Sequence, residues 1–295
     1  MRGSMFGGLT LKELAKRTWN ESSEDNVFGG AAELAYYFML ALFPMLIFLT
    51  SLVGFLPGAQ EAIFNALSKV VPGEAWRLVS ETLNDVITNS SGGLLSFGVL
   101  GTIWAASSGV SSVMGTLNTA YDVKEERSFV KMRLTAIGLT LALALLVVGG
   151  AVLIMFSHKL SDWIATAFGL GGAFAIVSTI VGYLIAVALL FFGIGVLYYF
   201  GPNIKQRWHW VTPGAIFAVA GIIIGSLLFS VYLKFGPGYS ATYGSLGAVI
   251  ILMLWLYLVG LVLLVGGEIN SEVEFASGKP VIQGESGKPT HLQAA

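Results

Sequence analysis

The sequence predicts an all-α, polytopic membrane protein: a bundle of six transmembrane helices with a short extracytoplasmic helical cap between the first and second. Three observations carry this. Of 295 residues, 55% are hydrophobic and only 11% charged, where a soluble domain carries about 25% charge. The uncharged stretches reach the roughly 20 residues that a bilayer crossing needs. Of the 16 Lys and Arg residues, 12 fall in segments that alternate crossings place on one side.

The crossings follow from the spacing of charge. Leu34 to Gln60 is uncharged. So is Val86 to Tyr121, although Thr88 to Gly93 is too polar for lipid. Leu134 to Ser157 is the cleanest span. Trp163 to Ile204 is too long for one crossing, and Gly169, Gly171 and Gly172 break it. Trp208 to Leu233 follows, then Phe235 to Gly267 once the Gly236-Pro237-Gly238 turn is set aside. The predicted spans lie near 30–56, 94–118, 133–157, 173–200, 211–233 and 244–268. All-round apolarity at these lengths argues helix, because barrel strands are short and alternate.

Basic residues set the orientation. Arg2, Lys12, Lys16, Arg17, Lys124, Arg127, Lys131, Arg133, Lys205, Arg207, Lys279 and Lys288 share one side; Lys69, Arg77, Lys159 and Lys234 share the other. Both termini are therefore expected in the cytoplasm. The polar first 26 residues predict no cleavable signal peptide.

Outside the spans, 1–29 reads as a cytoplasmic segment with an interfacial helix near 10–19. Thr10 and Glu13 have capping-box spacing, and Leu11, Leu14 and Thr18 share a face. The cap, 57–93, contains two apolar helical runs divided by Pro72-Gly73. Residues 30–275 form the transmembrane domain, and 276–295 read as a flexible cytoplasmic tail.

Within the spans, Pro44 is expected to kink the first. The second carries Ser107, Ser108, Ser111, Ser112 and Thr116, with Gly101, Ala105 and Gly109 at four-residue spacing. Small residues allow close helix packing and hydroxyls bond across helices. This helix therefore belongs inside the bundle, as packing or as the wall of a polar cavity. Gly221 and Gly225 give the fifth span a small-residue face.

Ionisable groups at membrane depth are functional suspects. Glu33 begins the first span, Asn118 and Asp122 end the second, and Glu268 and Asn270 end the sixth. Alternate crossing puts all five near the cytoplasmic boundary. Arg133, Lys205 and Arg207 lie close by, and arginine grips phosphate bidentately. The candidate substrate-binding residues are thus Glu33, Asn118, Glu268, Asn270, Arg133, Lys205 and Arg207, with Ser107, Ser108, Ser111 and Ser112 as candidate cavity lining. The same positions also suit helix ends that meet water and the positive-inside rule.

Composition and motifs exclude several classes. A net charge of -1 draws in no polyanion, so no nucleic-acid partner is expected. Cys is absent and only three His occur. No HExxH, G-x-S-x-G, Walker or Rossmann pattern is present. Neither an enzyme, a cofactor nor a metal site is expected.

Several runs then resemble the YihY/BrkB membrane proteins. They are Ala31-Ala32-Glu33-Leu34-Ala35-Tyr36-Tyr37 with Leu42-Phe43-Pro44, and Trp104 to Gly109 with Leu117 to Tyr121. Tyr199 to Asn203 with Trp208 and Pro213 to Ala215 is similar, as is Tyr243 to Ala248 with Trp255 to Tyr257 and Gly267 to Asn270. The resemblance covers about residues 10–275. It implies a six-span bacterial inner-membrane protein. It also implies that the family's old label, ribonuclease BN, is a misassignment, and an association with complement resistance and with movement of lipids or envelope precursors.

The resulting expectation is a carrier or flippase for an anionic lipid or lipid-linked envelope precursor, with Glu33 and Glu268 as proton-coupling candidates. A scaffold for envelope biogenesis or serum resistance, acting through the cap, is the alternative. A membrane enzyme is the least favoured class. Oligomeric state is not readable from the sequence.

Overall fold

A computed structural model describes residues 6–53, 95–168, 171–206, 208–235 and 245–278, with scattered positions between 64 and 84. The described residues form seven long helices: α1 (Leu11–Glu24), α2 (Val27–Val53), α3 (Leu95–Ala120), α4 (Phe129–Phe168), α5 (Gly171–Phe200), α6 (Pro213–Phe235) and α7 (Ser245–Ala276). Most of the predicted cap, the turn at 236–238, Arg207 and the tail beyond residue 278 lie outside the described residues.

Among the described residues, four helices are long and apolar enough to cross a membrane: Phe129–Gly150 in α4, Val177–Phe200 in α5, Pro213–Lys234 in α6 and Leu246–Ala276 in α7. Val27–Leu42 of α2 is a shorter apolar helix. The first two predicted spans fall on α2 and α3, of 27 and 26 residues. At 1.5 Å rise per residue each is about 40 Å long. Leu134, Leu145, Leu184, Leu227 and Leu228 are all exposed. Apolar side chains facing outward in this number suit lipid, not water.

Helix ends differ from the predicted spans for one reason. Polar residues end an apolar run without ending a helix. α4 continues through His158, Lys159 and Asp162 to Phe168, and α5 begins at Gly171. α7 likewise continues past Glu268 and Asn270 to Ala276. Pro44 stands inside α2.

α7 is the central helix, packed on α2, α6, α1 and α3. The main core joins Ala31 and Leu34 of α2, Val113 and Leu117 of α3, Ile194 and Tyr198 of α5, Ala218 and Ile222 of α6, and Leu263 and Leu264 of α7. A second cluster unites Val110 and Met114 of α3 with Ala136 and Leu139 of α4. Val71 and Val79, from the predicted cap, are buried in one cluster with Ala35 of α2 and Leu252 and Leu256 of α7.

The small residues serve packing within the chain. A Cβ on Gly225 would meet Leu258 at 2.7 Å, and one on Gly221 would meet Val262 at 2.5 Å, so this face of α6 receives α7. Gly109 lets α3 approach Ala41 of α2 in the same way.

The capping box of α1 is present. Thr10 N donates to Glu13 Oε2 at 2.9 Å, and Glu13 N donates to Thr10 Oγ1 at 3.3 Å. The buried face of α1, Leu14, Thr18 and Ser22, docks on α7 and α2. Leu11, assigned to that face by its spacing, is 68% exposed. Gly7 abuts Val273 and Ala276, so the two ends of the described chain share one end of the bundle.

Candidate functional site

The helical repeat places Ser108, Ser112, Thr116 and Thr119 on one stripe of α3. Ser108 donates to the Trp104 carbonyl at 3.3 Å, Thr116 to the Ser112 carbonyl at 3.1 Å and Thr119 to the Gly115 carbonyl at 3.4 Å. Such bonds satisfy a hydroxyl within its own helix and leave its oxygen lone pairs available. Ser112 instead reaches across to α2 and donates to Glu33 Oε1 at 3.3 Å.

Two adjoining cavities open along this stripe. The first, about 360 Å³, is lined by Glu33 and Tyr37 of α2, by Ser108, Ser111, Ser112 and Thr116 of α3, and by Arg133 of α4. The second, about 280 Å³, is lined by Asp25, Asn26, Glu33, Thr116, Thr119 and Glu268. Glu33, Thr116 and Thr119 belong to both, so the two form one polar furrow from Arg133 to Glu268.

At one end the Arg133 guanidinium lies 3.8 Å above the Trp104 ring, a cation–π arrangement. Its nitrogens contact Ser108 Oγ at 3.3–3.4 Å and Ser111 Oγ at 3.5 Å, and donate to the Trp104 carbonyl. Its Nε is buried without a partner. These contacts are all to neutral groups.

At the other end lies a cluster of acids. Glu268 is 1% exposed, and its Oε1 has no donor. Asp25 ends α1, and Asn26 turns the chain into α2 with φ 51°. Asp122 has the same φ at the turn after α3. Asn and Asp tolerate this left-handed region better than most residues. Burial raises the Asp25 carboxyl to about 6, helped by the charges of Asp122 and Glu24 and partly offset by a hydrogen bond to Glu268. Burial, then Glu24, raises Asp122 as well. Glu21 is raised by burial and by its acidic neighbours Glu272, Glu24, Asp122 and Asp25. Arg17 meets Glu272 from one side at 3.7 Å.

The remaining predicted residues sit elsewhere. Asn118 is buried in a clamp: its Nδ2 donates to Glu125 Oε2 at 2.9 Å, and its Oδ1 accepts from Asn203 N at 2.6 Å. Arg127 grips Glu125 through Nε at 2.7 Å and an η nitrogen at 2.6 Å, and reaches the Gly201 carbonyl at 2.9 Å. Burial opposes the charged form of Glu125, but the Arg127 hydrogen bonds outweigh it and hold the carboxyl below its ordinary value. Asn270 Oδ1 accepts from Gly214 N at 2.8 Å, tying α7 to the start of α6. Ser107 is fully buried and donates to the Trp104 carbonyl at 2.9 Å. Lys205 is exposed and lines neither cavity. Arg207 lies outside the described residues.

The furrow thus gathers Glu33, Arg133, Glu268, Ser108, Ser111 and Ser112. It also includes Asp25, Tyr37, Thr116 and Thr119, which were not among the candidate residues. Thr116 and Thr119 continue the Ser108–Ser112 repeat and were legible from it. Asp25 lies before the first span, beyond any search confined to membrane depth. Among the described residues, no group of three His, Cys, Asp or Glu side chains could hold a metal ion.

Residues 18–288 match the family model described as Virulence factor BrkB. The chain is 38% identical over 262 residues to "Putative ribonuclease-like protein YfkH" of Bacillus subtilis, covering 88% of this chain and 94% of that protein. It is 28% identical to a UPF0761 membrane protein of Rhodospirillum centenum, covering 94% of this chain and 60% of that one. A UPF0761 membrane protein of Tolumonas auensis is 26% identical, with 86% and 82% covered. No solved structure matches the chain.

Proposed function

Since this chain belongs to the Virulence factor BrkB family and is an integral membrane protein, we propose that it is a carrier of a phosphate-bearing lipid, an anionic lipid or a lipid-linked envelope precursor. The observation that carries this reading is the furrow between α2 and α3, with Glu33 common to both of its chambers. Ligand sites commonly enclose about 300–1,000 Å³. A chamber of about 360 Å³ suits a head group, while the exposed apolar faces of α4, α5 and α6 leave the acyl tails in lipid.

The chemistry is binding and passage, not bond breaking. Hydroxyls spaced one helical turn apart offer a head group successive partners. The acidic end, where Asp25 and Glu268 meet, supplies groups that can hold a proton and so couple movement to a gradient. Our reading places the protein in the bacterial inner membrane with both termini in the cytoplasm, without enzymatic activity or a cofactor.

Reconstitution of the full chain in liposomes with acyl-labelled lipids tests this. Accelerated transbilayer movement is expected, slowed when Ser112→Leu fills the furrow. No acceleration with any head group, at verified incorporation, overturns the reading.

A further inference from the structure

An acidic and a basic side chain line the same chamber. Glu33 and Arg133 stand on α2 and α4, with the α3 hydroxyls between them. No ion pair joins them among the described residues: Glu33 receives one hydrogen bond from Ser112 at 3.3 Å, and Arg133 contacts only Ser108, Ser111 and the Trp104 carbonyl and ring. Glu33 is exposed and Arg133 half-buried, so both can reach a ligand that enters the chamber. Each of these charges therefore offers a partner to a ligand charge of the other sign.

We propose that this chamber binds a zwitterionic head group, a phosphate joined to an ammonium group, with the phosphate on Arg133 and Ser111 and the ammonium on Glu33.

The donors are in place. The Arg133 η nitrogens meet Ser108 and Ser111 only at 3.3–3.5 Å, long contacts that an oxyanion entering the chamber can replace. Ser111 Oγ accepts from Arg133 at 3.5 Å, and its own proton finds no acceptor among the described residues. Trp104 covers one face of the guanidinium, leaving its edge for in-plane contacts to phosphate. Ser112 fixes Glu33 Oε1, and the second carboxylate oxygen is left for an ammonium.

Other ligand classes fit less well. A head group with phosphate alone neutralises Arg133 and is repelled by Glu33. A cation alone does the reverse. An uncharged sugar leaves both charges uncompensated. Only a ligand bearing both signs pairs with both side chains. The site rests on the carrier reading and narrows its phosphate-bearing cargo to a zwitterionic head group in place of a net anionic one, but binding is measured without transport.

The test is equilibrium binding to the purified full chain in detergent. Acyl-labelled phosphatidylethanolamine is the probe; unlabelled phosphatidylethanolamine, phosphatidylglycerol and soluble glycerophosphoethanolamine compete. Phosphatidylethanolamine is expected to compete roughly tenfold better than phosphatidylglycerol, the scale of one charge-assisted hydrogen bond. Glu33→Gln removes that preference, and Arg133→Gln weakens both lipids. If soluble glycerophosphoethanolamine competes as well as the lipid, the site stands and its ligand is the free zwitterion. Equal competition by the two lipids with wild-type protein, which needs no variant to fold, overturns the assignment. A preference unchanged by Glu33→Gln also overturns it. Transbilayer movement without head-group preference leaves the carrier and removes this site; preference without movement does the opposite.

Discussion

The Asp25 and Glu268 carboxyl groups meet where the α1–α2 corner faces α7. Asp25 Oδ2 and Glu268 Oε1 are both buried without a donor from the rest of the chain. Two carboxylates accept and cannot donate, so they bond to one another only when one holds a proton.

Burial of the Asp25 carboxyl makes stability depend on pH. Its folded value of about 6 lies above its ordinary 3.8. The fold then holds this proton more tightly than the unfolded chain does. The contribution is fully present below 3.8 and is lost as pH rises through about 6. Thermal unfolding in detergent should show the melting temperature falling across that window. Asp25→Asn should flatten the fall and raise the melting temperature at neutral pH. An unchanged profile in Asp25→Asn counts against burial of this carboxyl as the source of the pH dependence.

Glu268→Gln places an amide donor beside Asp25 at every pH. It should unfold at or above the wild-type temperature at neutral pH. A marked drop in melting temperature would mean that the Glu268 charge itself is stabilising.

Removing Asn270 strands a buried donor. Gly214 N has Asn270 Oδ1 as its acceptor at 2.8 Å, and an unsatisfied buried group costs about 1–3 kcal/mol. Asn270→Ala should lower the melting temperature by roughly 2–4 °C per kcal/mol. Asn270→Asp keeps the acceptor and should lose less. Equal losses in the two variants would rule the hydrogen bond out as the cause.

Arg127 holds Glu125 in its charged form. Glu125 is thus stabilising above its unfolded value, and that contribution is lost as pH falls through the folded one. Arg127→Ala should abolish this acid-side loss and speed proteolysis in the connection at 121–128, which the clamp ties to Gly201 and Asn203. Cleavage no faster than in wild type would show that the clamp does not hold the connection.

Ser112→Leu should slow lipid movement severalfold while changing the melting temperature little, because the side chain enters a cavity. Loss of movement together with loss of folding would not support a blocked path; a variant that moves lipid as fast as wild type would exclude this route.

Much of the helical framework was legible in the sequence. Charge-free runs of bilayer length carry their own signal, since lipid excludes uncompensated charge from a helix surface. The helix start at the Gly171-Gly172 pair and the Thr10–Glu13 box are local, so they could be read without a partner. Helix ends were less legible, because hydropathy reports the solvent and not the hydrogen-bonded ladder. Of the polar residues near one boundary, spacing along the chain could not separate Asn118 and Asn270, which bond to neighbouring segments, from Glu33, which faces the furrow.

What the sequence alone determined is the solvent and the list of polar residues lipid would not tolerate without a reason. These depend on composition and on neighbours along the chain. The pairing of those residues was decided only by the tertiary structure. Glu33 shares a chamber with Arg133, 100 positions away, and Glu268 meets Asp25, which precedes the first span. Helix rotation and close approach bring them together. Both are set by how small and large side chains interlock across three or four helices at once.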